Sequence, residues 1–153
     1  MSSEVERISQ LLERTYQGDA WHGPSVQTVL SDLSSTQALH RIGDSHNAVE
    51  IVRHMTAWRN FVIQRLAGND TYELTEAANW STVSSLSEAE WQHTLDELDR
   101  SQRGLLAALH QQKEEQLTRP VAHRSYSYYV LLHGIIQHDT YHLGQVRLLG
   151  HHA

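Results

Sequence analysis

Hydrophobic positions recur at helical intervals through most of the chain. Val5, Ile8, Leu11, Leu12 and Tyr16 form a first apolar stripe, which predicts a helix over residues 3–16. Gln17-Gly18-Asp19-Ala20 interrupts it. Pro24 then suits a first helical position ahead of a short apolar set, Val26, Val29, Leu30 and Leu33. The stretch from Ser31 to Ser45 is polar, with Gly43-Asp44 as a turn signal. Ile51, Met55, Trp58 and Val62 form the seam of a second long helix, from about Asn47 to Leu66. Asn47 and Glu50 have the spacing of a capping box at its start, and Gly68-Asn69-Asp70 ends it.

Residues 69–86 are too long for a tight turn, and their one large anchor is Trp80, placed to pack over a bundle edge or the mouth of a site. A third helix begins near Ser87, where Glu90 completes another capping box. Its seam is Trp91, Leu95, Leu98, Gln102, Leu105 and Leu109, with Gln102 as the polar break. Gly104 weakens it by roughly 1 kcal/mol relative to alanine. A second connection, Gln111 to Arg124, contains Pro120; Ser125 is placed to cap a last helix reaching about Leu149. No internal repeat, low-complexity tract or convincing strand interrupts the pattern. Four long helical segments predict an all-α fold: a four-helix bundle forming one domain over residues 1–153, with short helices in its longer connections.

The last helix carries the candidate chemistry. Steps of three and four along it give Tyr128, Leu131, Ile135, His138, His142, Gln145 and Leu149, a seam apolar at both ends and polar in the middle. His138 and His142 are four residues apart, so their rings share one face, one turn apart. Polar groups in a buried seam need partners, and one metal ion satisfies both rings. Bundle sites are built from facing helices, and His54 lies on the inward stripe of the second long helix. His54 is therefore the best candidate for a third ligand. His46, at or before that helix start, is its rival; His133 is rotated off the ligand face, and His93 and His110 read as surface or boundary residues.

Composition narrows the chemistry. The chain has 153 residues, long enough for a proper core, with 39% hydrophobic and 20% charged residues. A net charge of −6 and 12 scattered Lys and Arg residues argue against a nucleic-acid partner. There is no cysteine, which excludes disulfides, Cys-based zinc sites and a cysteine nucleophile. The first residues do not read as a signal peptide, and no apolar run approaches the ~18 residues of a membrane span, so a cytoplasmic protein with no membrane partner is expected. Histidine is the outlier, with 12 residues against one phenylalanine. His22 and the terminal His151-His152 receive no role.

Several stretches resemble the DinB-like family of small metal-binding four-helix bundles, the damage-inducible, YfiT-like superfamily. They are residues 20–25 (AWHGPS), residues 46–58 (HNAVEIVRHMTAW), Trp80, and residues 133–145 (HGIIQHDTYHLGQ). The resemblance covers nearly the whole chain, and the last stretch is its most specific part. It implies ligands from one histidine on the second long helix and an HxxxH pair on the last, matching His54, His138 and His142. It also implies a metal-dependent transferase acting with a low-molecular-weight thiol, or an isomerase using a thiol cofactor.

Three neutral imidazoles leave a coordination position open, as catalytic sites require; Zn²⁺ suits the set and Ni²⁺ also favours imidazole. Such an ion lowers the pKa of bound water toward ~7 or binds a substrate thiol as thiolate. Without cysteine in the chain, any sulfur nucleophile must come from a cosubstrate. Around the ligands, Asp139 is either a partner for an imidazole N–H or a cap on a surface contact. Gly134, one turn before His138, either leaves room beside the metal or permits close helix packing. Gln102 and Gln145 are candidate donors to a ligand; Trp58 and Tyr141 are candidate pocket walls or core residues. The expected function is a metal-dependent S-transferase or hydrolase acting on a small molecule. The alternative is a non-catalytic bundle whose metal stabilises the fold or senses supply. A homodimer is expected, with Gly144 and Leu148 on a stripe turned away from the ligand seam.

Overall fold

A computed structural model describes residues 2–153. Its helices are α1 (Glu4–Gln17), α2 (Val26–Ser31), α3 (Ser35–Ala38), α4 (Ala48–Leu66), α5 (Glu76–Asn79), α6 (Glu88–His110), α7 (Glu114–Leu117) and α8 (Tyr128–His151). The long helices α1, α4, α6 and α8 form the bundle: α4 and α1 each pack on both α6 and α8. The short helices lie in the connections. None of the helices among the described residues is long and apolar enough to cross a membrane.

Most helix starts follow from side-chain caps that satisfy free backbone N–H groups. Asn47 with Glu50 and Ser87 with Glu90 form complete capping boxes. Two sequence expectations need correction. Pro24 is not the first residue of α2, because Ser25 caps that helix and α2 starts at Val26. Ser127, not Ser125, caps α8; Tyr128 N–H donates to the Arg119 carbonyl, and a bridge between Pro120 and Ser127 closes a tight loop that holds residues 121–126 out of the helix. Gly104 has a packing reason: a Cβ there would sit 3.2 Å from Ile63 Cδ1 on α4, so glycine allows α4 and α6 to approach.

The core divides into two buried clusters. One contains Ile51, Met55, Trp91, Leu98, Leu143 and Val146; the other contains Ile8, Leu12, Val62, Leu105, Leu132 and Ile135. Between them, Arg59 of α4 meets Asp139 of α8, with Nη2 2.7 Å from Oδ2 and Nη1 donating to Oδ1 at 3.1 Å. Arg59 Nε donates to Gln102 Oε1 on α6 at 3.2 Å, and Gln102 Nε2 donates to the Leu12 carbonyl on α1 at 3.3 Å. This polar layer touches all four long helices. Gln102 is therefore a core residue satisfied inside the protein, rather than a donor to a bound ligand.

Candidate metal centre

His54 on α4 and His138 and His142 on α8 come together beside the polar layer, with one ring nitrogen from each within 4.8 Å of the others. His54 and His142 are buried, and the His138 side chain is 23% exposed. The middle of the α8 core stripe runs through Leu132, Ile135, Asp139, Leu143 and Val146. Asp139 thus takes the central position, and the histidines border it. Residue 139 lies about 100° around the helix from residue 138, which carries its carboxylate into the core and leaves His138 at the edge.

Two rings have fixed tautomers. His54 Nδ1 donates to the Asn79 carbonyl at 2.8 Å, and His142 Nδ1 donates to Gln145 Oε1 at 2.6 Å. In a neutral imidazole the other nitrogen is then a bare acceptor, so Nε2 of each ring is free to act as a ligand. Burial pushes the His54 pKa down to about 4; the Asn79 hydrogen bond opposes this shift, and the other two histidines reinforce it. Burial likewise lowers the His142 pKa against the Gln145 hydrogen bond. Both rings are neutral near pH 7, the state that binds metal.

His138 tests whether a cation fits. Its Nε2 lies 2.9 Å from His54 Nε2, while its buried Nδ1 has no hydrogen-bond partner and lies 3.8 Å from Asp139 Oδ1. A proton on Nε2 would make a histidine–histidine hydrogen bond but leave the Nδ1 lone pair facing a carboxylate. A proton on Nδ1 faces that carboxylate favourably and leaves two Nε2 lone pairs pointed at each other. A cation between the rings relieves that opposition, and a carboxylate behind a ligating histidine is a recurrent support for one. Tetrahedral Zn–N bonds of 2.0–2.1 Å place ligand nitrogens about 3.3 Å apart, against 2.9 Å between the His54 and His138 Nε2 atoms and at most 4.8 Å across the group. The residues fit a divalent ion.

Asp139 is neither a direct imidazole partner nor a surface cap. It is buried in the Arg59 ion pair, with the His138 ring beyond hydrogen-bond reach. Gln145 orients His142 and donates to the Tyr141 hydroxyl at 3.3 Å, rather than standing free for a ligand. Trp58 is half-buried, edge-on to His54, and its Nε1 donates to Asn79 Oδ1 at 3.0 Å. Tyr141 is 66% exposed and packs its ring edge-on against His142. A Cβ at Gly134 would meet nothing within 4 Å, so close helix packing is not its reason. Leu148 is not turned away from the site: it lines a cavity together with His142. Gly144 is exposed.

Arg59 and Asn79 went unread in the sequence. Arg59 stands in the α4 core stripe between Met55 and Val62, and a cation in such a stripe signals a buried counter-charge. Asn79 acts through its backbone carbonyl, which no sequence pattern marks. Trp80 lies over the site mouth, stacked on His54 with ring centroids 3.8 Å apart. His46, the rival ligand, stacks on the other face of Trp80 at 3.8 Å and contacts Glu50 through Nδ1 at 3.0 Å. His22, His93, His110 and His152 are exposed at the surface, and His133 lies beside Tyr129.

A family model described as the DinB superfamily matches residues 20–146. The chain belongs to the DinB superfamily. The matched span takes in all three histidines and the whole of α4 and α6. No curated protein and no solved structure matches the chain. The all-α bundle is the fold of this superfamily.

Proposed function

We propose that this DinB-superfamily protein is a metal-dependent enzyme acting on a small molecule, a thiol transferase or a hydrolase, with the ion held by His54, His138 and His142. One observation carries the reading: two buried rings are locked through Nδ1 by Asn79 and Gln145, so their Nε2 lone pairs converge with that of His138. The donor set favours Zn²⁺, with Ni²⁺ also suited. When bound, a divalent ion supplies Lewis-acid chemistry, favouring the deprotonated form of a thiol or a water near pH 7.

The protein's own residues do the rest. Trp80 covers one face of His54 and keeps that side dry. Arg59 holds the Asp139 carboxylate in the core, so Asp139 supports His138 electrostatically without reaching the ion. Among the described residues the cluster therefore offers three ligands, leaving a position for an exogenous one. With no cysteine in the chain, the sulfur of a transferase reaction comes from a small-thiol cosubstrate. One observation favours a non-catalytic metal protein instead: the carboxylate nearest the site is committed to Arg59 and is not free as a general base.

The test is elemental analysis of protein purified without an affinity tag, followed by a screen of small thiols against electrophiles. About one equivalent of metal is expected, lost in His54→Ala, His138→Ala and His142→Ala and kept in His93→Ala. Full metal content in His142→Ala would sink the ligand assignment. Bound metal with no turnover across the screen would support the non-catalytic reading.

A further inference from the structure

Two cavities reach the histidine group. One, of about 450 Å³, has His46, Trp80, Tyr141, His142 and Gln145 in its wall and mixes rings with hydrogen-bonding groups. The other, of about 240 Å³, is walled by Trp58, Val62, Tyr126, Leu131 and Ile135 and includes His138. The second is the apolar one, and it opens to solvent beside Val130, which is half exposed. A dry cavity of roughly 150 Å³ suffices to hold benzene, so this one has room for an arene or a branched alkyl group.

Gly134 keeps that cavity open. It lies in the middle of α8, where glycine costs roughly 1 kcal/mol relative to alanine. Its φ is not in the left-handed region, and no neighbour presses on it: a Cβ would meet nothing within 4 Å. Gly104 shows the contrast, since Ile63 crowds that position at 3.2 Å. A side chain at 134 would stand in the cavity one turn before His138, leaning toward the N-terminal end of α8.

We infer that the Trp58–Gly134 cavity receives a compact apolar group of the substrate, an arene or branched alkyl, while the substrate's polar reacting end lies at the histidine group. Gly134 sets the size of the group admitted. This rests on the metal-centre reading above. It adds a substrate class: molecules with a polar, metal-binding head and an uncharged apolar tail one side chain in size.

Calorimetric titration of zinc-loaded protein with acetohydroxamate and benzohydroxamate tests it, because the two share a metal-binding head and differ in the tail. Benzohydroxamate is expected to bind at least about tenfold tighter, from burial of its ring. Gly134→Leu fills the cavity and should remove that preference while leaving acetohydroxamate affinity within about twofold. Val130→Trp closes the cavity from its exposed rim, away from the core, and should do the same. Equal affinity for the two probes in the wild-type protein, or a preference that survives both substitutions at full metal content, overturns the inference and leaves the metal centre standing. Absence of metal by elemental analysis of the loaded wild-type protein overturns the metal-centre reading itself.

Discussion

Replacing Asp139 with asparagine keeps the shape of the polar layer and removes its negative charge. Arg59 is then a guanidinium with 0% side-chain exposure facing only neutral acceptors, the Gln102 amide oxygen and the amide oxygen left at position 139. Removing one partner of a buried ion pair costs about 3–5 kcal/mol, because the remaining charge is uncompensated. In a domain of this size each kcal/mol moves the Tm by roughly 2–4 °C, so a drop on the order of 10 °C is expected by circular dichroism. The companion experiment replaces both charges, Arg59→Met with Asp139→Leu. Trading a buried pair for apolar residues of similar volume is often neutral or stabilising, so the double variant should recover most of the lost stability in urea titrations. A loss under about 1 kcal/mol in Asp139→Asn would mean that the pair is hydrated in solution, and the account of the layer would be wrong. A double variant as unstable as the single one would refute the argument that charge, not shape, is what Asp139 contributes.

Glu50 and Gln145 yield two further expectations. Burial pushes the Glu50 carboxyl up, but hydrogen bonds from Arg41, the Val83 N–H and His46, with the Arg41 charge, outweigh it and hold the pKa at about 2. A depressed carboxylate contributes stability above its ordinary value of ~4.3 and loses it as pH falls toward the folded value. Roughly 3 kcal/mol should therefore disappear between about pH 4.5 and 2, and urea titrations of Glu50→Gln should lack that portion of the acid dependence; identical acid profiles would refute it. Gln145→Ala frees the His142 ring and should weaken metal affinity by about 10- to 100-fold with little change in Tm, read by competition with a chelating dye. Unchanged affinity would show that His142 needs no orienting partner.

The sequence pattern located the long helices because their stripes are long and their caps are local. The capping boxes at Asn47 and Ser87 formed as their spacing predicted. The Ser125 cap failed because residue 125 lies inside the turn closed by the Pro120–Ser127 bridge, a pairing that no helical stripe marks. The histidines His54, His138 and His142 come together because helix periodicity aims them at one point. What surrounds them was less legible. Asp139 and Gln102 were read as site residues, yet tertiary packing turned both onto Arg59, and the seam drawn through His138 lies one residue off the core centre. Gly134 was open between two readings, and only the empty space around it decides. Asn79 lies in a connection without periodicity, so no stripe could have placed it; Trp80, in the same connection, stood out by its size and lies at the site mouth as expected.

That connection has a consequence for how the site comes apart. Helix α5 has no buried residue, and its Asn79, with Trp80 just after it, reaches His54 and Trp58 from a span tied down at two points. One tie is Glu73, bound by Arg65 and Arg124; the other is Val83, whose N–H donates to Glu50 and whose carbonyl accepts from Asn47. Segments with few buried apolar contacts open at a fraction of the global unfolding free energy. The acceptor that sets the His54 tautomer thus belongs to a weaker cooperative unit than the helix that carries the ring. Amide exchange should show residues 74–80 opening well before the α4 and α8 cores. Each opening would release the His54 imidazole to rotate, so the site would lose its alignment many times over while the bundle stays folded.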